Sequence, residues 1–145
     1  MKQTQLDFEG HDEEEFEASE SAPEKKKDDY GPFLAKAREI GDLVLGFDEV
    51  IVAHDYDCDG ITSAAIVCSA MRAKGKKFET RVLMKKVNDV IMQELVKQGK
   101  QLVFCDVGAG QLPVIKKHAP DSIIIDHHPP AAEHELMINP VSFGI

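Results

Sequence analysis

The sequence predicts an α/β domain, a mostly parallel sheet flanked by helices, and three observations carry that expectation. Apolar runs at Val50–Ala53, Leu102–Cys105 and Ser122–Ile125, the last opened by a serine, read as strands buried on both faces. Segments with a 3.6-residue apolar period separate them. Each run is closely followed by acids or imidazoles, the kind of residue an open sheet presents to a ligand at its carboxyl edge.

The elements follow in order. The first thirty residues hold 11 acids and 4 bases, against 15 and 13 in the rest, so most of the net charge of −9 lies there. Residues 9–29, EGHDEEEFEASESAPEKKKDD, have almost no apolar side chains, and burial cannot offset their ordering entropy. Residues 1–29 are therefore expected to be an acidic flexible tail, and 30–145 the α/β domain. A helix is expected from Pro32 to Gly46, with Phe33, Leu34, Ala37, Ile40, Leu43 and Val44 recurring at helical spacing. The first strand, Val50–Ala53, is followed by the polar cluster His54–Gly60. Ile61–Lys74 reads as a helix with Ile61, Ala64, Ala65, Cys68 and Met71 on one side, stopped by Gly75. Phe78–Met84 reads as a strand. Asn88 can cap a helix reaching Gln98, with Ile91, Met92 and Leu95 inward. Leu102–Cys105 is the next strand, Leu112–His118 a short helix, Ser122–Ile125 a strand, and Glu135–Ile138 a last short one. Right-handed crossovers between such units give a parallel sheet covered by helices. The last residues, Asn139 to Ile145, start like a loop and turn apolar, which predicts a domain cut short.

Composition excludes several classes. No run approaches 18 apolar residues, so no membrane span is expected, and the first residues carry no signal-peptide pattern. Cys58, Cys68 and Cys105 form no CxxC and suit a reducing compartment, which makes the cytoplasm the expected location. A chain this acidic is no generic nucleic-acid binder, although the near-neutral body leaves room for a local basic groove. No G-x-G-x-x-G and no G-x-x-x-x-G-K-[ST] stretch is present, which disfavours a dinucleotide or P-loop site.

The strand ends carry the chemistry. They supply Asp55, Asp57 and Asp59, then Asp106, then Asp126, His127 and His128. Crowded together, these carboxylates repel one another unless cations intervene, and carboxylate with imidazole suits Mn2+ or Mg2+. Asp106, alone at its strand end, is the natural bridge between two ions, although a lone Asp after a strand is more often a turn or cap residue. Gly60 permits the turn that gathers Asp55, Asp57 and Asp59. Asp126 reads as a carboxylate that orients His127 rather than a ligand. His54 and Cys58 read as packed side chains. Residue 66 is Ile, which removes the Glu an EF-hand needs. Gly108 reads first as a tight-turn residue and second as a close approach to phosphate. Lys85 and Lys86 follow the second strand on the metal rim and are the best candidates for backbone phosphates. Tyr56 is a candidate stacking or packed ring.

Ala53-His54-Asp55-Tyr56-Asp57-Cys58-Asp59-Gly60, Phe104-Cys105-Asp106-Val107-Gly108 and Ile125-Asp126-His127-His128-Pro129 together resemble the first three motifs of the DHH phosphoesterase superfamily. The first is closest to RecJ-like single-strand exonucleases, including archaeal ones associated with the replisome. The resemblance implies an incomplete DHH-type domain that ends before the fourth motif and the second domain. It implies Asp55, Asp57 and Asp106 around one ion, and Asp59, Asp106 and His127 around another. His128 would face the scissile phosphate, and Asp126 would support the pair. It implies metal-activated water attack on single-stranded DNA or RNA, 5'-3' exonuclease-like, with Asp57, Asp106, Asp126 and His128 as the catalytic set. His128, Lys85, Lys86 and Gly108 would contact substrate. The alternatives are hydrolysis of short oligonucleotides, cyclic dinucleotides or pyrophosphate, or an inactive fragment that serves as a replication or repair interaction module. Replisome proteins such as the GINS complex are the implied partners. Gln3–Phe8 loosely resembles the peptides that dock on replication sliding clamps, without their aromatic pair.

Overall fold

A computed structural model describes residues 30–145; the acidic segment and Gln3–Phe8 lie outside the described residues. The order is α1 (Gly31–Gly46), β1 (Glu49–Asp55), α2 (Cys58–Ala73), β2 (Lys77–Leu83), α3 (Asp89–Val96), β3 (Gln101–Cys105), α4 (Leu112–His118), β4 (Ile123–Ile125) and β5 (Met137–Ile138). Short 3-10 turns lie at Ala109–Gln111 and Pro140–Phe143. All neighbouring strands are parallel, in the order β2-β1-β3-β4-β5. The predicted α/β class therefore holds.

Strand alternation builds a core on each face. Ile51 and Ala53 of β1 join Leu102 and Phe104 of β3 beneath Met92 and Leu95 of α3 and Ile115 of α4. The alternate residues Val50, Val52, Val103 and Cys105 meet Ile40 and Val44 of α1 and Ala64, Cys68 and Met71 of α2. Burial on both faces explains why β1 and β3 read as continuous apolar runs. β2 is an edge strand, and Glu79 and Arg81 pair along it at 2.9 Å, a charged edge that discourages pairing with another chain. Asp89 ties α3 to α4 by accepting from Lys117 at 2.6 Å and His118 at 2.7 Å. Those two partners hold its carboxyl down at about 2.

Three local differences from the sequence reading have physical causes. α2 starts at Cys58 rather than Ile61, because the Asp57 side chain accepts from the Gly60 amide at 3.0 Å and caps the helix there. Ile61, Ala65, Leu34 and Leu43 are exposed, since each helix meets the sheet along one narrow stripe; on α2 it is Gly60, Ala64, Cys68 and Met71. β5 has two residues rather than four, as the stretch before it turns back through a Met137 N–H to His134 carbonyl bond of 3.2 Å.

The strand order fixes where a ligand can sit. After β1 the chain leaves toward β2 on one side, and after β3 it leaves toward β4 on the other. The diverging connections open a crevice at the carboxyl ends of β1 and β3, the usual binding place in such sheets. Asp55 ends β1, and Asp106 follows β3.

Candidate metal centre

Three loops meet at that crevice. In the first, Asp55 Oδ1 accepts from the Tyr56 amide at 2.7 Å and Asp57 Oδ1 from the Gly60 amide, each carboxylate keeping a second oxygen for a ligand. The Gly60 bond, first among several, holds the Asp57 carboxyl below the usual range. Gly60 lies so close under the strand end that a Cβ there would stand 2.5 Å from the Asp55 carbonyl oxygen.

In the second loop, Asp106 takes φ of 61°, a left-handed conformation that Asp tolerates better than most side chains. Its amide donates to the Ile125 carbonyl at 2.8 Å, which aims the carboxyl into the crevice. Asp106 is 5% exposed. Its Oδ1 lies 3.0 Å from His127 Nε2, and its Oδ2 is the buried side-chain oxygen without a hydrogen-bond partner among the described residues. Burial, then the charges of Asp59 and Asp57, push its carboxyl up.

The third loop is organised by Asp126. Its Oδ1 accepts from the amides of His127 (2.8 Å) and His128 (3.1 Å) and faces His128 Nδ1 at 2.8 Å. Its Oδ2 accepts from the Ala109 amide at 2.8 Å, so it also pins the loop after Asp106. The contact with Asp126 pushes the His128 imidazole up, toward its charged form. Asp126→Asn turns one of these two acceptor oxygens into a donor facing a backbone amide, so it is expected to cost ~1–3 kcal/mol of stability and to lower divalent-metal affinity by ~10–100-fold, the usual cost of losing an outer partner, as denaturant unfolding and manganese titration would record.

Two groups of candidate ligands result, Asp55 with Asp57 and Asp106, and Asp106 with His127 and His128. In each, the donor atoms lie within 4.8 Å of one another, and Asp106 belongs to both. Asp59 stands at the margin, its Oδ2 3.7 Å from His127 Nε2. The buried, partnerless Oδ2 of Asp106 fits a bound cation, since such an oxygen otherwise carries an uncompensated desolvation cost. Lys86 and Gly108 line a groove with Asp55, Asp106 and His128, whereas Lys85 lines a separate groove between β2 and α3. Gly108 takes φ of 117°, and a Cβ there would stand 3.0 Å from Ile115 Cδ1, so the tight turn alone demands glycine. His54 is packed, with Nδ1 2.8 Å from the Asp55 carbonyl. Cys58 is exposed and free; Cys105 is buried, which pushes its thiol up to about 12.

Sequence reasoning missed Asn139. It is buried, donates from Nδ2 to the His128 carbonyl at 2.8 Å and accepts from the Val141 amide at 3.0 Å. It thus holds the His128 backbone from behind. An Asn before Pro, at the end of an apolar pair, was the available signal.

The sequence profile of the DHH family, N-terminal domain, matches residues 49–144. An uncharacterized protein of Methanocaldococcus jannaschii is 33% identical, over 77% of this chain and 30% of its own length. The chain thus spans about a third of that relative. Two solved structures share the fold. RecJ in complex with Mn2+ from Thermus thermophilus superposes with a TM-score of 0.61 at 21% identity, covering 74% of this chain and 17% of that one. An exonuclease RecJ bound to manganese gives 0.59 at 21%, covering 72% and 31%.

Proposed function

The chain belongs to the DHH family, and from that membership we propose that its crevice is a two-metal phosphodiesterase site acting on single-stranded nucleic acid. Its clustered Asp and His side chains are compatible with metal-dependent phosphoester hydrolysis. The observation that carries the reading is Asp106, whose carboxyl is buried, partnerless on one oxygen and shared by both ligand groups.

Asp55, Asp57 and Asp106 would hold one ion, and Asp59, Asp106 and His127 a second, with Mn2+ or Mg2+ the best match for oxygen-rich donors. Bound there, such ions supply an acidified water and offset charge on the phosphoryl oxygens. The chain's own groups do the rest. Asp126 holds His128 by its Nδ1 and favours the charged imidazole, which leaves Nε2 to face a phosphate oxygen. Lys86 adds a second cation in the same groove, and the backbone at Gly108 lets a phosphate approach. The two solved structures of similar fold, one described as an exonuclease and both bound to manganese, support a nuclease over other phosphoesterases.

Incubating the chain with Mn2+ and single-stranded DNA, short RNA or pyrophosphate tests the assignment. Mononucleotide release from a single strand, lost on adding a chelator, is expected. Cleavage of pyrophosphate alone would replace the nuclease by a small-molecule hydrolase.

A further inference from the structure

Resting on that reading, we propose that the site selects nucleotides by taking the base of the reacting unit into an apolar groove on the far side of Asp106, against the ring of Phe33. Two grooves meet at Asp106 and Asp126. One carries Lys86, His128 and the Gly108 backbone, groups suited to an anion. The other, about 360 Å³, is bounded by Phe33, Ser63, Ile125, Ile138 and Pro140 beside Asp59 and His127. Its volume lies in the ~300–1,000 Å³ range of small-molecule sites. Apart from its three carboxylates, His127 and the Ser63 hydroxyl, its lining side chains, Phe33, Ile125, Ile138 and Pro140, are apolar, and carboxylates repel a phosphate.

A nucleotide has the same two halves, an anionic phosphodiester and an apolar planar base, joined across a few bonds. Pyrophosphate has only the first and would leave the apolar groove unfilled. Phe33 is prepared for stacking. It lies in the first turn of α1, packs against the core and meets Phe143 edge-on, with ring centroids 5.6 Å apart and planes at 81°. A ring fixed this way loses little freedom when a base covers it. Tyr56, the stacking candidate in the sequence, is exposed but lines neither groove.

The test compares binding of dAMP and of 2-deoxyribose 5-phosphate to the Mg2+-loaded chain by calorimetry. The base is expected to tighten binding about tenfold, the scale of one base–aromatic stack. Phe33→Leu, which keeps an apolar side chain against the core, is expected to weaken dAMP about tenfold. A 2-aminopurine nucleotide is expected to lose emission on binding the native chain. Equal affinity for dAMP and the sugar phosphate in the native chain would overturn the base groove and leave the phosphodiesterase reading intact. That comparison decides even if the Leu variant fails to fold. Binding of neither ligand would overturn both.

Discussion

Replacing Asp106 with asparagine is expected to stabilise the metal-free chain while abolishing its response to manganese. Two effects act on this residue in opposite directions. Without a cation, its carboxylate is buried, faces the charges of Asp57 and Asp59, and leaves Oδ2 unpartnered. Asparagine removes the charge and keeps a side chain that tolerates the φ of 61°. The gain is about 1 kcal/mol, typical where a functional group is replaced at a strained site. With cations, the same carboxylate joins both ligand groups, and its loss should lower metal-dependent hydrolysis by about 10³-fold, several kcal/mol of lost charge stabilisation.

The pH dependence separates this account from a simple structural role. The folded chain holds the Asp106 carboxyl above its unfolded value, so folding takes up a proton. The stability this residue contributes is fully present below the unfolded value of about 3.9 and is lost as pH rises through the raised folded one. Denaturant unfolding of the metal-free chain should therefore show the asparagine variant gaining on the native chain as pH rises through that window. A variant that is less stable at neutral pH would show that Asp106 is a structural residue.

Gly60→Ala is expected to damage fold and site together. The added Cβ would stand 2.5 Å from the Asp55 carbonyl oxygen and 2.8 Å from its carbon. Both are backbone atoms of a strand end and cannot swing aside. Alanine gains about 1 kcal/mol of helix propensity at such a position, but overpacking of ~1–3 kcal/mol opposes it. The net loss, ~0–2 kcal/mol, is the smaller consequence. Relief of the clash must move either β1's end or the start of α2, so Asp55 and Asp57 separate and the cap bond from Gly60 to Asp57 shifts. Manganese affinity should fall by ~100-fold or more, the upper range for misoriented ligands. Gly41 is the matched control. It lies in α1 with nothing within 4 Å of an added Cβ, so Gly41→Ala should stabilise by about 1 kcal/mol and leave manganese binding alone.

What was legible in the sequence follows from which forces are local. β1 and β3 could be read because burial on both faces leaves no polar alternation, and Asn88 because capping is a local bond that the structure forms with the amides of Val90 and Ile91. Asp55, Asp57 and Asp106 could be gathered on paper because each sits at or just beyond a strand's carboxyl end. The strand order was not legible, since it depends on which side each crossover turns, and with it the crevice between β1 and β3. Lys85 and Lys86 look equivalent as neighbours, yet the turn after β2 sends them to different grooves. Phe33 read only as a core residue of a helix. Its place beside His127 arises from α1 packing near β5, a contact between segments about a hundred residues apart.

Crystals of this chain soaked in manganese, with anomalous scattering recorded at the metal's absorption edge, would show directly whether Asp106 joins two ions. Anomalous peaks are expected in contact with the Asp106 carboxyl, one shared with Asp55 and Asp57 and one with His127, and none in crystals of the asparagine variant. Peaks confined to other carboxylates, with the contact between His127 and Asp106 still in place, would contradict that arrangement.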